Sequence, residues 1–209
     1  MEESISEKNI RRVEPYVPGE QPKVDNVIKL NTNENPYPPA PKAYEAAKAF
    51  DMDKLRLYPD PECSALVHSI AQYYGMDDNE VFTGVGSDDV LAMCFMTFFN
   101  SEKPVLFPDI SYSFYSVWAD LYRIPYETPA LNDKFEIVPE DYFKENGGII
   151  FPNPNAPTGI YMELDQVEEI ISQQPDVESY FTMAGSSGLS MSSDPSVTVY
   201  LKKDRKVET

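Results

Sequence analysis

Three short turns carry residue types that can bind a phosphorylated aromatic ligand, and the first of them is rich in glycine. The stretch GVGSDD, residues 84–89, places small residues where a strand leads into a helix. Backbone N–H groups of Gly86, Ser87 and Asp88 can converge there on an anion, with the helix dipole behind them. An ordinary N-cap at Ser87 or Asp88 explains the same residues equally well. The turn is not a Walker A loop, because the Gly-Lys-Ser/Thr ending is missing.

The second turn is aromatic. The stretch PDISYSFYS, residues 108–116, follows a strand pattern and puts Tyr112 and Tyr115 on one face of a starting helix. An aromatic face at the carboxyl end of a strand can stack on a flat heterocycle, although both rings can instead pack in the core. Trp118, the only tryptophan, is interpreted as a core residue.

The third turn is rich in amides and prolines. The stretch PNPNAPTG, residues 152–159, supplies Asn153 and Asn155, and each side chain can hydrogen-bond to a phenolic or carboxylate oxygen. As a bare turn it would be unremarkable. Together the three turns offer a phosphate cradle, a stacking face and a polar anchor, a combination that favours one phosphorylated aromatic cofactor over three coincidences.

The elements around these turns alternate between strands and helices. Strands are predicted at the start of 80–99, over 103–108 and within 147–154, and helices over 41–50, 64–74, the apolar end of 80–99, 111–122 and 163–174. Such alternation predicts an α/β fold with a mostly parallel sheet flanked by helices, because parallel strands need long crossovers. Ligands of such sheets bind beyond the carboxyl ends of the strands. The turns after Phe82, Phe107 and Phe151 are therefore the predicted site.

The overall composition narrows the possible partners. A net charge of −18 argues against nucleic acid and anionic membranes, because binding to either requires Lys and Arg. Cys63 and Cys94 lack metal-ligand spacing, and the N-terminus MEESISEKNI has no apolar signal core. No run approaches the roughly 18 apolar residues of a membrane span. We expect a cytoplasmic protein without a metal, a membrane segment or a nucleic-acid partner.

The chain divides into three parts by composition. Residues 1–40 read as an extended arm punctuated by Pro, Gly and Asn, and residues 41–174 as the α/β domain with the candidate site. Residues 175–209 change in character, because VESYFTM and VTVYLKK alternate like two strands around a Gly/Ser/Met loop. We expect an antiparallel strand pair over 177–203.

The order of several motifs resembles a known family. PYVPG, KLNTNENPYPP, YPDP, GVGSDD, PDISYSFY and NPNAPTG follow one another as in the N-terminal part of histidinol-phosphate aminotransferase, a fold-type-I enzyme that depends on pyridoxal 5′-phosphate. The resemblance covers about residues 8–171. It implies transamination of histidinol phosphate, a phosphorylated amino substrate, with 2-oxoglutarate/glutamate in histidine biosynthesis.

The resemblance also implies roles for individual residues. Gly86, Ser87 and Asp88 correspond to the turn that holds the cofactor phosphate, and Tyr112 to the tyrosine that stacks on the pyridine ring. Asn155 matches the asparagine that touches the phenolic oxygen. Ala156 stands where many relatives have a second Asn, so Asn153 remains an alternative.

Further matches lie outside the three turns. Tyr58, in LYPDP, matches a tyrosine that reaches the phosphate site of the neighbouring subunit, which implies a homodimer. Tyr16 and Asn33 fall in the arm that covers the substrate.

The catalytic residues of the family have no match in this sequence. The family's covalent lysine, pyridinium acid and substrate arginine lie in later motifs, whereas this chain continues as PDVESYFTMAGSSG. The candidate substitutes fit poorly: KKDRK (202–206) is a charge run, Lys103 and Lys144 precede strands, and His68 reads as a packed helix residue. We assign no catalytic residue and expect no appreciable transamination from these residues alone.

A second hypothesis remains open beside the aminotransferase. The chain can be a non-catalytic truncated or fused product that binds a phosphorylated ligand weakly at most. Residues 175–209 weakly resemble a porter-domain strand pair of resistance-nodulation-division efflux pumps. Transport does not follow, because no membrane segment accompanies the pair.

Overall fold

The structure is a computed structural model that describes most of the chain after residue 33. The described residues are 10–11, 13–14, 19–20, 23, 28–31, 34–175, 177–183 and 196–201. Tyr16 and Asn33, the predicted substrate contacts, lie outside them. The chain forms two compact units, residues 17–90 and residues 1–16 with 91–209, and each is described by itself.

The unit of residues 17–90 is helical where the periodicity predicts helices. Helix α1 spans Pro41–Lys48 and starts on a proline, whose missing N–H costs nothing in the first turn. Helix α2 spans Ser64–Tyr74 and ends at Gly75, which adopts φ +69° as a left-handed stop. Two short 3-10 helices, Met52–Arg56 and Asp78–Glu80, complete the connections.

The strand predicted before the glycine-rich turn is wrong for the described residues. Val81 ends the short 3-10 helix, and residues 81–84 lead into helix α3 at Ser87–Phe98 without pairing to any described strand. A strand needs a neighbour that satisfies its backbone groups, and an apolar local pattern does not supply one.

The larger unit is built around a parallel three-stranded sheet. Strands β1 (Val105–Leu106), β2 (Tyr126–Glu127) and β3 (Gly148–Ile149) lie in the order β2-β1-β3. Val105 pairs with Tyr126 on one side and with Gly148 on the other, both in parallel register. Helix α4 spans Phe114–Tyr122 and forms the crossover from β1 to β2. Helix α5 spans Leu164–Ser172 and follows the amide-rich turn.

The sheet separates two hydrophobic clusters. Successive residues of a strand point to opposite faces, so Val105 enters one cluster and Leu106 the other. Phe95 of α3 and Tyr115 and Ala119 of α4 bury the first face, whereas Ile170 of α5 buries the second. The predicted α/β architecture, a parallel sheet flanked by helices, is confirmed.

The C-terminal strands form a separate sheet. Strands β4 (Val177–Met183) and β5 (Ser196–Leu201) pair antiparallel, with Val177 opposite Leu201 and Met183 opposite Ser196. The predicted antiparallel pair over 177–203 is confirmed for the residues described there, 177–183 and 196–201. In the part of the chain that the structure describes, no helix combines the length and apolar character needed to cross a membrane.

Candidate functional site

The glycine-rich turn is closed by Asp89. Its Oδ2 accepts a hydrogen bond from the Val85 backbone nitrogen at 3.1 Å. A Cβ on Gly84 would lie 2.8 Å from that oxygen and 2.8 Å from a Val90 methyl. Glycine at this position therefore leaves room for the Asp89 carboxylate to approach the turn. Gly86 has φ +93°, a backbone conformation that L side chains rarely adopt. Both glycines are thus required by the shape of the turn.

Helix α3 begins on the predicted cradle residues. Ser87 is its first residue and Asp88 its second, so both lie in the first turn of the helix, and the N-cap alternative stays a prediction. Val90 donates the first helical hydrogen bond, to the Gly86 oxygen at 3.3 Å. The geometry of an α-helix aims the N–H groups before that bond out of its N-terminus. Ser87 is exposed, so this end of the helix is accessible from solvent within its unit.

The aromatic turn splits into a core residue and a half-buried one. Helix α4 starts at Phe114, so Tyr112 precedes it instead of sharing a helical face with Tyr115. Tyr115 is 4% exposed, and burial raises the pKa of its phenol. Tyr112 is half-buried and stacks on Phe114, with 5.8 Å between ring centroids. The core interpretation is right for Tyr115, and both Trp118 and Tyr112 are partly buried and pack against the same cluster.

Asn155 joins the amide-rich turn to the aromatic turn. It is the buried polar residue of the described core, at 2% exposure. Its Nδ2 donates to the Ile110 oxygen at 2.9 Å and to Thr158 Oγ1 at 3.3 Å, and its Oδ1 accepts from Ser111 Oγ at 2.9 Å. Both amide hydrogens are therefore engaged inside the protein, whereas Oδ1 keeps one lone pair.

Asn153 is engaged elsewhere. Its Oδ1 accepts from the Met162 nitrogen at 2.9 Å and its Nδ2 donates to the Met162 oxygen at 3.0 Å, which closes the far end of the same turn. Between the two asparagines, Asn155 is the one that reaches the loop bearing Tyr112.

The sequence interpretation missed Asp109 and Ser111. Asp109 Oδ1 accepts from the Ile110 nitrogen at 2.8 Å and from the Leu131 nitrogen at 3.0 Å, just beyond the end of β1. The signal that could have identified them is their position, because both are polar residues that closely follow a buried strand. Their partners lie 22 and 44 residues away, which the local pattern does not reveal.

The other singled-out residues lie on the surface. Tyr58 is fully exposed. His68 is exposed and faces the Asp78 carboxylate at 3.2 Å, so the prediction that it packs in the helix is wrong. Lys103 and Lys144 form ion pairs with Glu145 at 2.9 Å and Glu127 at 2.6 Å. Among the described residues, no cluster of three His, Cys, Asp or Glu side chains is arranged to hold a metal ion.

Of the three candidate turns, two have described residues that suit a phosphorylated aromatic ligand. The Gly86 turn at the α3 N-terminus suits an anion, and the half-buried Tyr112 ring suits a planar heterocycle. Asn155 has no spare donor and can offer only an acceptor lone pair. The two groups of residues belong to different units, so their convergence on one ligand stays a prediction.

Comparison with known proteins points to one family. The family model for aminotransferase class I and II matches residues 25–177. The chain is 55% identical over 183 residues to histidinol-phosphate aminotransferase 1 of Hydrogenovibrio crunogenus, covering 85% of this chain and 51% of the relative. It is 52% identical to the histidinol-phosphate aminotransferase of Pseudomonas syringae pv. syringae, covering 85% and 52%.

A longer match to another relative points to the same family, and a solved structure shares the fold. The histidinol-phosphate aminotransferase of Clostridium botulinum strain Okra is 47% identical over 205 residues, which cover 94% of this chain and 58% of the relative. A solved structure from Erwinia carotovora atroseptica, provisionally assigned to histidinol-phosphate aminotransferase, superposes with a TM-score of 0.64 at 24% identity, covering 72% of this chain and 45% of that one. That likeness shows the fold. The chain spans about half the length of the curated relatives it matches.

Proposed function

The chain belongs to the family of class I and II aminotransferases, and we propose that it serves the transamination of histidinol phosphate with 2-oxoglutarate/glutamate in histidine biosynthesis. The cofactor of the family is pyridoxal 5′-phosphate. The observation that carries the proposal is the match at about half identity to histidinol-phosphate aminotransferases across all three candidate turns.

The glycine-rich turn is proposed to bind the cofactor phosphate. Gly86 allows the backbone to turn into α3, and the N-terminus of that helix presents N–H groups and a partial positive charge to an anion. Ser87 adds an exposed hydroxyl next to them. Asp88 contributes through its backbone N–H, because its carboxylate would repel a phosphate.

Tyr112 and Asn155 are proposed to contact the ring of the cofactor. Pyridoxal phosphate, when bound, supplies the electron sink that lets an amino group be exchanged. The Tyr112 ring orients the heterocycle by stacking, and its support on Phe114 keeps it in place. Asn155 offers its remaining carboxamide lone pair to a hydroxyl of the ligand.

A homodimer is proposed from Tyr58. Its ring is fully exposed within this chain, which leaves its hydroxyl accessible to a second copy. The resemblance gives the equivalent tyrosine to the phosphate site of the neighbouring subunit. Tyr16 and Asn33 are likewise proposed to cover the substrate.

We further propose a division of the chain and a location in the cell that the sequence predicts. They are the division into an arm at 1–40, a cofactor-binding domain at 41–174 and a distinct tail at 175–209, and a cytoplasmic location. The weak likeness of that tail to a porter-domain strand pair also stays a prediction.

Binding without turnover is the second candidate function of this chain. No lysine, pyridinium acid or substrate arginine of the family motifs is matched in the sequence, and Lys103 and Lys144 are engaged in surface ion pairs. Loss of a covalent catalytic residue removes several powers of ten in rate, whereas phosphate and ring contacts persist. The chain is therefore proposed to hold the cofactor loosely and not to turn over substrate unaided.

A binding experiment tests whether the chain holds the cofactor and whether Tyr112 contacts its ring. The purified chain is incubated with pyridoxal phosphate, and binding is measured by equilibrium dialysis for the wild type, Tyr112→Phe and Tyr112→Ala. We expect Tyr112→Phe to retain affinity and Tyr112→Ala to lose it by about tenfold, because only the second removes the stacking ring. Equal affinity in all three proteins would contradict the ring contact.

Borohydride reduction then tests the covalent step. We expect diffuse labelling of surface lysines and no activity with histidinol phosphate and 2-oxoglutarate. A stoichiometric adduct on one lysine, together with turnover, would show that a substitute nucleophile exists. It would support the enzyme and contradict binding without turnover.

A further inference from the structure

Residues 109–112, which we call the Tyr112 loop, follow β1 and are held from one side by Asp109. The Asp109 carboxylate accepts from the Leu131 backbone nitrogen, and the Asp109 nitrogen donates to the Pro129 oxygen at 3.0 Å. These bonds attach the start of the loop to the segment that follows β2. They leave the residues next to Tyr112 to be held by another contact.

The second attachment comes from the buried carboxamide of Asn155. It donates to the Ile110 oxygen and accepts from the Ser111 hydroxyl, which are the backbone and side-chain groups that directly precede Tyr112. The main chain of Asn155 is itself held, because its N–H donates to the Ile160 oxygen at 2.9 Å and its oxygen accepts from Gly159 at 2.7 Å. A rigid turn thus presents one amide to the loop.

The strength of this attachment follows from burial. Asn155 is almost inaccessible to water, so removal of its amide would leave the Ile110 oxygen and the Ser111 hydroxyl to find other partners. A loop whose bonds are lost opens more often. The ring of Tyr112 would then leave its stacked position on Phe114 more often as well.

We propose that Asn155 is a positioning residue, whose carboxamide sets the place of the Tyr112 ring by fixing Ile110 and Ser111. The consequence for a cofactor rests on the proposed function. The attachment of the Tyr112 loop to Asn155 is independent of the proposed function, because it is a contact within the protein. Asn153, in the same motif, has no such role, since its amide bonds to Met162.

The test compares amide hydrogen exchange in the full chain of wild type, Asn155→Ala and Asn153→Ala. We expect the amides of Ile110 and Tyr115, which donate to Asp109 Oδ1 and to the Tyr112 oxygen, to exchange about tenfold faster in Asn155→Ala, because the loop opens more often once its bonds to Asn155 are lost. We expect their exchange to be unchanged in Asn153→Ala. The β1 amides Val105 and Leu106 serve as the reference for global opening. Equal exchange of the Ile110 and Tyr115 amides in wild type and Asn155→Ala, or equal acceleration in Asn153→Ala, would overturn the proposal.

A second pair of variants serves if Asn155→Ala unfolds globally. Ser111→Ala removes one hydroxyl and leaves the turn around Asn155 with its own bonds, whereas Ser111→Thr keeps a hydroxyl at the same place. We expect faster loop exchange in Ser111→Ala and recovery in Ser111→Thr. Identical exchange in both would overturn the role of the Ser111–Asn155 bond.

Measuring pyridoxal phosphate binding distinguishes a failure of the proposed function from a failure of the proposal that Asn155 positions the Tyr112 ring. If the wild-type chain binds pyridoxal phosphate, we expect Ser111→Ala to weaken that binding several-fold and Ser111→Thr to restore it. Unchanged affinity in Ser111→Ala would overturn the positioning of the Tyr112 ring. A wild-type chain that fails to bind the cofactor contradicts the proposed function. The exchange result still decides the attachment of the loop in that case.

Discussion

Val105 and Leu106 are neighbours in β1, both are inaccessible to solvent, and they lie in different hydrophobic clusters. This arrangement requires helices on both faces of the sheet, because each face of β1 presents one apolar side chain. The helices α3 and α4 cover the Val105 face, and α5 covers the Leu106 face. The central strand thereby sets the carboxyl edge at which Asp109, Ser111 and Asn155 meet.

Leu106→Ala is expected to destabilise the fold strongly. Removing a fully buried leucine side chain costs about 2–5 kcal/mol, since the transfer energy is lost and a cavity remains. Leu57→Ala is the matched control, because Leu57 is more than half exposed. Urea unfolding of both variants measures the difference in free energy. A similar loss in the two variants would show that β1 is not central to the core.

Tyr142→Phe is expected to keep or raise stability. The Tyr142 ring is 1% exposed, and its hydroxyl has no hydrogen-bond partner among the described residues. Removing a buried unsatisfied hydroxyl while keeping the ring stabilises by about 1 kcal/mol. Urea unfolding near neutral pH measures this, with Tyr37→Phe, at an exposed ring, as the control. A loss of stability in Tyr142→Phe would mean that the hydroxyl is bonded.

The same residue predicts a pH dependence. Burial raises the pKa of the Tyr142 phenol above its ordinary value, and the charges of Asp141 and Asp109 add to the shift. The unfolded phenol ionises from about pH 10, whereas the folded one stays neutral, so wild-type stability falls as pH rises through this range. Tyr142→Phe lacks this contribution. The stability difference between the two proteins should therefore grow above about pH 10 in favour of the variant. A constant difference across that range would contradict the raised pKa.

Asp60 is expected to titrate below its ordinary range. Hydrogen bonds from the side chain and backbone of Ser64 and from the Glu62 nitrogen lower the pKa of its carboxyl. Its contribution to α2 is present above about pH 4 and is lost as pH falls through the lowered pKa. A carbon-detected NMR titration measures the shift. Ser64→Ala should move the pKa of Asp60 upward, and no movement would remove Ser64 as the main cause.

Gly84→Ala is expected to weaken binding at the glycine-rich turn. Its Cβ would lie 2.8 Å from Asp89 Oδ2 and from a Val90 methyl, so these side chains must shift, which weakens the bond from Val85 to Asp89. Gly75→Ala is the matched control, because that glycine also lies next to a helix but has open space around it. We expect pyridoxal phosphate binding to fall at least about tenfold in Gly84→Ala and to persist in Gly75→Ala, at a cost of about 1–2 kcal/mol for a left-handed alanine. Unchanged binding in Gly84→Ala would exclude the turn as the phosphate site.

Local interactions made much of the fold predictable from the sequence. Helix α2 with its stop at Gly75, the buried β1 and the antiparallel pair of β4 and β5 depend on periodicity and on residues with restricted backbone conformations. The three turns and their family were recognisable for the same reason, since each is a contiguous motif. The strand predicted before the glycine-rich turn shows the limit, because no described strand pairs with it.

Tertiary contacts decided the rest. Strand β2 is two residues long and lies between prolines, and it is a strand only because β1 pairs with it. Tyr112 and Tyr115 look alike in sequence, yet packing against Phe95 and Phe107 buries only Tyr115 in the core. The sequence by itself determined that Asn155 is an amide in a tight turn. Only the fold brings it to Ser111, across 44 residues, because the parallel strands β1 and β3 end at the same edge of the sheet.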